Sequence, residues 1–100
     1  MSVFVLAQFQ IHDPSGYAKY VEIATPIFMR EGVKVLANDE APQPITPGQK
    51  TDKVVLLEFR DHDHYKHFFT QPDYIEAAKH RDAASTITAM QFKRFEGFPG

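Results

Sequence analysis

The sequence predicts an α+β fold, with four strands and two helical regions in the order βαββαβ. Three observations predict it. The segments "SVFVLAQFQIH", "VKVLAN", "KVVLLEFR" and "TITAMQFKRFE" are rich in β-branched and aromatic residues and read as strands. Apolar residues recur at helical spacing after the first of these and again after the third. Between the second and third lies only the proline-rich stretch "DEAPQPITPGQKTD", a loop or distorted hairpin tip. This order is the split βαβ, or ferredoxin-like, arrangement. It makes one four-stranded antiparallel sheet with strand one between strands three and four, strand two at the edge, and both helices on one face.

The first strand, residues 2–12, sends Val3, Val5, Ala7, Phe9 and Ile11 to one face and Phe4, Leu6, Gln8, Gln10 and His12 to the other. Asp13 then caps a helix whose first residue is Pro14, where a missing N–H costs nothing. Tyr17, Tyr20, Val21, Ala24 and Phe28 form its apolar stripe. Pro26 predicts a break near Thr25, with Thr25 capping a second turn, and Gly32 ends the helix. Residues 33–38 form strand two, and 39–52 the loop. In strand three, residues 53–60, Val55, Leu57 and Phe59 oppose Val54, Leu56, Glu58 and Arg60. The second helical region runs from Asp61 to Arg81 and is divided by Pro72. Residues 86–96 form the last strand.

With 43% apolar and 24% charged residues over 100 positions, the chain fits one globular domain, residues 1–100. A net charge of −2 with scattered cations leaves no footprint for nucleic acid. No apolar run approaches the ~20 residues of a membrane span. The opening "MSVFVLAQFQ" reads as a strand rather than a signal peptide, and the absence of cysteine fits a reducing compartment. The expected location is cytoplasmic.

Two helices cover one sheet face, yet Phe4, Leu6, Val54 and Leu56 lie on the other. Soluble monomers rarely leave so large an apolar patch in water. The expected remedy is a homodimer joined through this face; the alternative is cover from the 39–52 loop and the tail.

The ordered set "DPSGYAKY", "VVLLEF", "FFTQPDYIEAAKHR" and "FEG" resembles the DUF1330 family, small proteins of unknown function within the dimeric α/β-barrel group. The resemblance covers nearly the whole chain. It implies a ferredoxin-like protomer and a homodimer whose two sheets enclose a barrel. The chain departs from the family pattern in having one glycine in "EGV" after the first helix and a longer, proline-rich 39–52 loop.

The stretch "FRDHDHYKHFF" raises the question of a metal site. His64 and His67, with Asp61 and His62 nearby, have one-helix ligand spacing. The periodicity favours another reading. Asp61 is an N-cap, Asp63 complements the helix dipole, and Tyr65, Phe68 and Phe69 form the buried stripe. His64, Lys66 and His67 then lie on the surface, and neither a metal nor a cofactor is expected.

Glu58 is a carboxylate inside the most hydrophobic strand. Strands one and three are expected as parallel neighbours, which sets Gln8, Gln10 and His12 beside Glu58 and Arg60 on the barrel face. An apolar wall with a few convergent polar groups is the form of a small-molecule site. Glu58, its pKa raised by desolvation, would serve as general base and His12 as acid or orienting group. Gln8, Gln10, Arg60, Arg81 and Tyr17 are candidate ligand contacts; Arg81 equally fits helix capping or pairing with Asp82, and Tyr17 core packing. Three functions compete. The first is cofactor-free acid/base chemistry on a small organic metabolite. The second is ligand binding without chemistry, as in a stress-response module. The third is haem or metal binding through His64, His67 or His80.

Overall fold

The computed structural model describes residues 1–99. Its elements are β1 (Val3–Ile11), α1 (Pro14–Arg30), β2 (Lys34–Asp39), β3 (Lys53–Phe59), α2 (His62–Phe69), α3 (Pro72–Ala84) and β4 (Ser85–Lys93). The strands form one sheet in the order β2-β3-β1-β4, with antiparallel neighbours throughout. This is the predicted ferredoxin-like arrangement.

Local chemistry sets the helix ends. The Asp13 carboxylate accepts the Gly16 N–H at 3.1 Å, and Pro14 opens α1. A side chain at Gly16 would put its Cβ 2.6 Å from that carboxylate and 3.1 Å from Ala84 Cβ. At the far end Gly32 takes φ +66°, the Gly32 N–H reaches the Met29 carbonyl, and the Val33 N–H reaches that of Phe28. These are the bonds of a Schellman motif. The expected break at Pro26 does not occur: α1 runs unbroken through it, and Thr25 donates its hydroxyl to the Val21 carbonyl at 2.7 Å instead of capping a second turn. Ala24 and Ile27, buried on either side of the proline, hold the helix to the core. Packing thereby outweighs the lost backbone bond. Pro72 divides the second helical region as expected, ending α2 and opening α3.

Val3, Val5, Ala7 and Phe9 of β1 and Leu57 and Phe59 of β3 face the helices. Phe59 and Phe68, both fully buried, anchor an aromatic cluster with Tyr65, Phe69 and Tyr74. The opposite face pairs Phe4 with Phe92 and Leu6 with both Leu56 and Met90. In the single chain Met90 is 57% and Phe92 40% exposed, and Phe4, Leu6 and Leu56 are only partly covered. The loop reaches the polar end of this face alone: Thr51 donates to the Gln8 side chain, and Gln10 donates to the Lys50 carbonyl.

The strand register overturns one expectation. β1 and β3 are antiparallel, so Glu58 lies opposite Phe4, while Gln8 lies opposite Val54. The long loop from Asp39 to Lys53 returns β3 antiparallel to β2, and after the helical crossover from β1 to β2 this also sets β3 against β1. The carboxylate and the β1 polar residues therefore occupy opposite ends of the sheet.

Candidate functional site

The concavity with the features of a ligand site lies between the sheet and the helices, on the face opposite the one the sequence suggested. It has a volume of about 350 Å³. Val5, Ala7, Val55, Leu57, Phe69 and Ile87 contribute apolar walls. Its polar groups come from Tyr17, Tyr20, Tyr74, Lys53, Arg81, Asn38 and Gln91, and no carboxylate lines it.

The helical periods of α1 and α3 assemble the centre. Tyr17 and Tyr20 share the buried stripe of α1, and Tyr74 and Arg81 project from α3. The Tyr20 and Tyr74 hydroxyls are 2.8 Å apart, and Arg81 Nη1 donates to the Tyr74 oxygen at 3.0 Å. Arg81 Nε donates to Asp82 at 3.0 Å, so the pairing anticipated from sequence exists and leaves the guanidinium also reaching inward. An arginine can only donate. Tyr74 therefore accepts from Arg81 and can donate its own O–H to the Tyr20 oxygen, which leaves the Tyr20 O–H able to donate to a ligand. Burial pushes the Tyr17 phenol up to about 12, and raises the pKa of Tyr20 and Tyr74 as well. All three phenols are protonated donors at neutral pH.

Lys53, the first residue of β3, is 4% exposed. Its ammonium lies over the Tyr17 ring, 4.7 Å from the centroid. Arg81 lies over the adjacent Tyr20 ring at 5.8 Å. Desolvation lowers the Lys53 pKa against the opposing field of Glu40. Sequence reasoning passed over Lys53, although a lysine on the inward side of the alternating strand "KVVLLEF" was a legible signal. Tyr20 and Tyr74 were read as packing groups or left unassigned.

Of the residues expected at a site, the structure brings Tyr17 and Arg81 together in this cavity. It leaves the others elsewhere. Gln8 and Gln10 face the opposite side of the sheet, where the loop engages them. His12 and Arg60 are exposed, at the two ends of the sheet. Glu58 accepts from Arg94 at 2.8 Å. Its pKa is lowered, not raised, by hydrogen bonds from Ser2 and Arg94, which favour the charged form. That corrects the expectation of a desolvated base at this position.

The histidines separate as well. His64 is 5% exposed, not on the surface. Its Nδ1 accepts the Arg60 N–H at 3.0 Å, and its Nε2 lies 2.6 Å from the Glu31 carbonyl, to which it donates. A polar ring fits the core here because the helix-entry backbone and the α1 terminus both need partners. His67 contacts Glu31 at 3.1 Å, and His62 stacks on Tyr65. Among the described residues, no three His, Asp or Glu side chains are grouped so as to hold a metal ion. Among the described residues, no helix is long and apolar enough to cross a membrane.

This geometry defines a ferredoxin-like α+β protomer with a cavity on its helical side. The chain belongs to the DUF1330 family, a domain of unknown function whose profile matches residues 2–95. Among solved structures it is similar to a protein of unknown function from Rhodopseudomonas palustris, at 21% identity and TM-score 0.83, over 96% of this chain and 84% of that one. It is also similar to SnoaB, a cofactor-independent oxygenase from Streptomyces nogalater, at 19% identity and TM-score 0.69, over 99% and 98%. A dimeric ferredoxin-like protein of unknown function from Jannaschia matches at 12% identity and TM-score 0.73, over 94% and 100%. At these identities the likeness shows the fold. No curated protein sequence matches the chain.

Proposed function

We propose that this protein is a homodimer that binds a small organic anion in the helix-side cavity and carries out cofactor-free acid/base chemistry on it. One observation carries the reading: the cavity is walled by apolar and aromatic groups, while its charged lining residues, Lys53 and Arg81, are both cations. A planar carboxylate or enolate would place its ring or chain against Phe69 and the apolar strand residues and its charge toward Arg81. The Arg81–Tyr74–Tyr20 chain then supplies a polarised hydroxyl to a developing oxyanion. The cofactor-independent oxygenase of similar fold supports the cofactor-free part by analogy of fold. The dimeric neighbour and the uncovered Phe4–Leu6–Met90–Phe92 face support the assembly.

Benzoate is a suitable binding probe and benzamide its neutral control. Calorimetric titration should show benzoate binding that benzamide lacks and that Arg81→Leu weakens about tenfold or more, the ~1.5–3 kcal/mol of a charge-assisted hydrogen bond. Equal affinities for both probes, or for both proteins, would refute the cavity reading. Chemistry is read as deuterium exchange at the methylene of phenylpyruvate, with solvent water taking the proton while the Tyr20 hydroxyl supports the enolate oxygen, followed by NMR. Exchange should slow in Tyr20→Phe and persist in Glu58→Gln and His12→Ala. Binding without accelerated exchange would leave the ligand-binding module as the function.

A further inference from the structure

Lys53 has more to it than charge. Every other lysine is exposed, whereas this side chain is enclosed between β3 and α1 and borders two concavities. The first is the cavity described above. The second is lined by Ile11, Pro14, Ala18 and the carboxylate residues Glu40 and Asp52, and shares Tyr17, Val21 and Lys53 with it. Lys53 forms no ion pair within 4.0 Å among the described residues. Its ammonium lies over the Tyr17 face, and the Glu40 carboxylate acts on it from further off. The Nζ itself is not sealed in: among the described residues no fully buried side-chain nitrogen lacks a hydrogen-bond partner, so the stem is enclosed while the amine opens onto the cavity.

We infer that Lys53 is a nucleophile, and that the cavity takes carbonyl-bearing anions, 2-oxo acids or their close relatives, as a Schiff base on its Nζ. The lone pair of neutral Nζ attacks the carbonyl carbon, and the carbonyl π pair moves to oxygen. A proton passes from nitrogen to that oxygen, giving a carbinolamine. The C–O bond then breaks as the oxygen takes a proton from solvent and leaves as water, the nitrogen lone pair forms the C=N bond, and the proton remaining on nitrogen returns to solvent. One carbonyl and one amine become one imine and one water, with no oxidant or reductant. Desolvation favours the neutral amine that the first step requires. Because Lys53 and Arg81 sit over neighbouring rings, with Tyr17 and Tyr20 centroids 5.6 Å apart, one ligand can meet the amine with its carbonyl and the guanidinium with its carboxylate.

The inference rests on the anion-binding reading of the cavity, and the test separates the two. Native protein is incubated with phenylpyruvate and cyanoborohydride, and adducts are located by peptide mass spectrometry. The expected result is one reduced adduct, on Lys53, at least tenfold above any exposed lysine and suppressed by excess benzoate. Lys53→Arg should lose the adduct, while benzoate titration of the native protein reads the anion cavity separately. Modification spread evenly over exposed lysines, or none on Lys53 while benzoate still binds, would overturn the nucleophile and leave the anion cavity standing. Failure of benzoate to bind together with absence of the adduct would overturn both.

Discussion

Replacing His64 by alanine removes a ring that two backbone groups depend on. The Arg60 N–H loses its acceptor at 3.0 Å and the Glu31 carbonyl loses its donor at 2.6 Å. Both bonds are part-buried, so each group left unpaired costs up to the ~1–3 kcal/mol of a buried one. The edge-on contact with Phe59, at 5.4 Å between ring centroids, adds roughly 0.5–1.5 kcal/mol. Water entering the vacated space recovers part of this, so the expected loss is about 3–5 kcal/mol. That is a large share of the ~5–15 kcal/mol that holds a domain of this size together. At ~4–8 °C per kcal/mol, the melting temperature should fall by about 12 °C or more. The assay is urea unfolding followed by circular dichroism at fixed protein concentration, with His67→Ala as the control. His67 is 62% exposed and should change stability by less than about 0.5 kcal/mol. A loss below about 1 kcal/mol for His64→Ala would refute the view that this imidazole is a structural bridge, and would return it to the pool of candidate ligands.

Two further outcomes follow from the sheet. Leu56→Asp, which puts a charge in the centre of the uncovered face opposite Leu6, should shift the protein to monomer in light scattering at micromolar concentration; a dimer that persists would place the interface elsewhere. Glu58 has a folded-state pKa below its unfolded value, so its contribution to stability is present above about pH 4.5 and is lost as pH falls through the lowered value. Glu58→Gln should therefore flatten the acid limb of the stability curve below that pH, and an unchanged acid limb would count against the Ser2 and Arg94 bonds.

The fold was legible because its signals are local and periodic. The alternation in "VFVLAQFQI" and "KVVLLEF", the Asp13–Pro14 start and the Gly32 stop each specify an element without reference to the rest of the chain. The site was less legible, because it depends on strand direction and on which sheet face the helices take. With β3 set parallel to β1, Glu58 falls beside Gln8; with β3 antiparallel, it falls beside Phe4, and a catalytic constellation dissolves. Lys53 escaped notice because a strand-initial lysine usually reaches solvent, and only the packing of Tyr17 across it shows that this one does not. His64 was misplaced because helical period alone cannot tell a ring on the surface from one drawn inward by unpaired backbone.

Strand β1 is the wall between two neighbouring compartments. Val5, Ala7 and Phe9 look into the cavity, and Phe4 and Leu6 look out over the uncovered face. On the proposed reading, odd-numbered positions of this strand bear on the ligand and even-numbered ones on the partner subunit. What the strand cannot absorb is a one-residue insertion, which would exchange the two sets of side chains at a stroke.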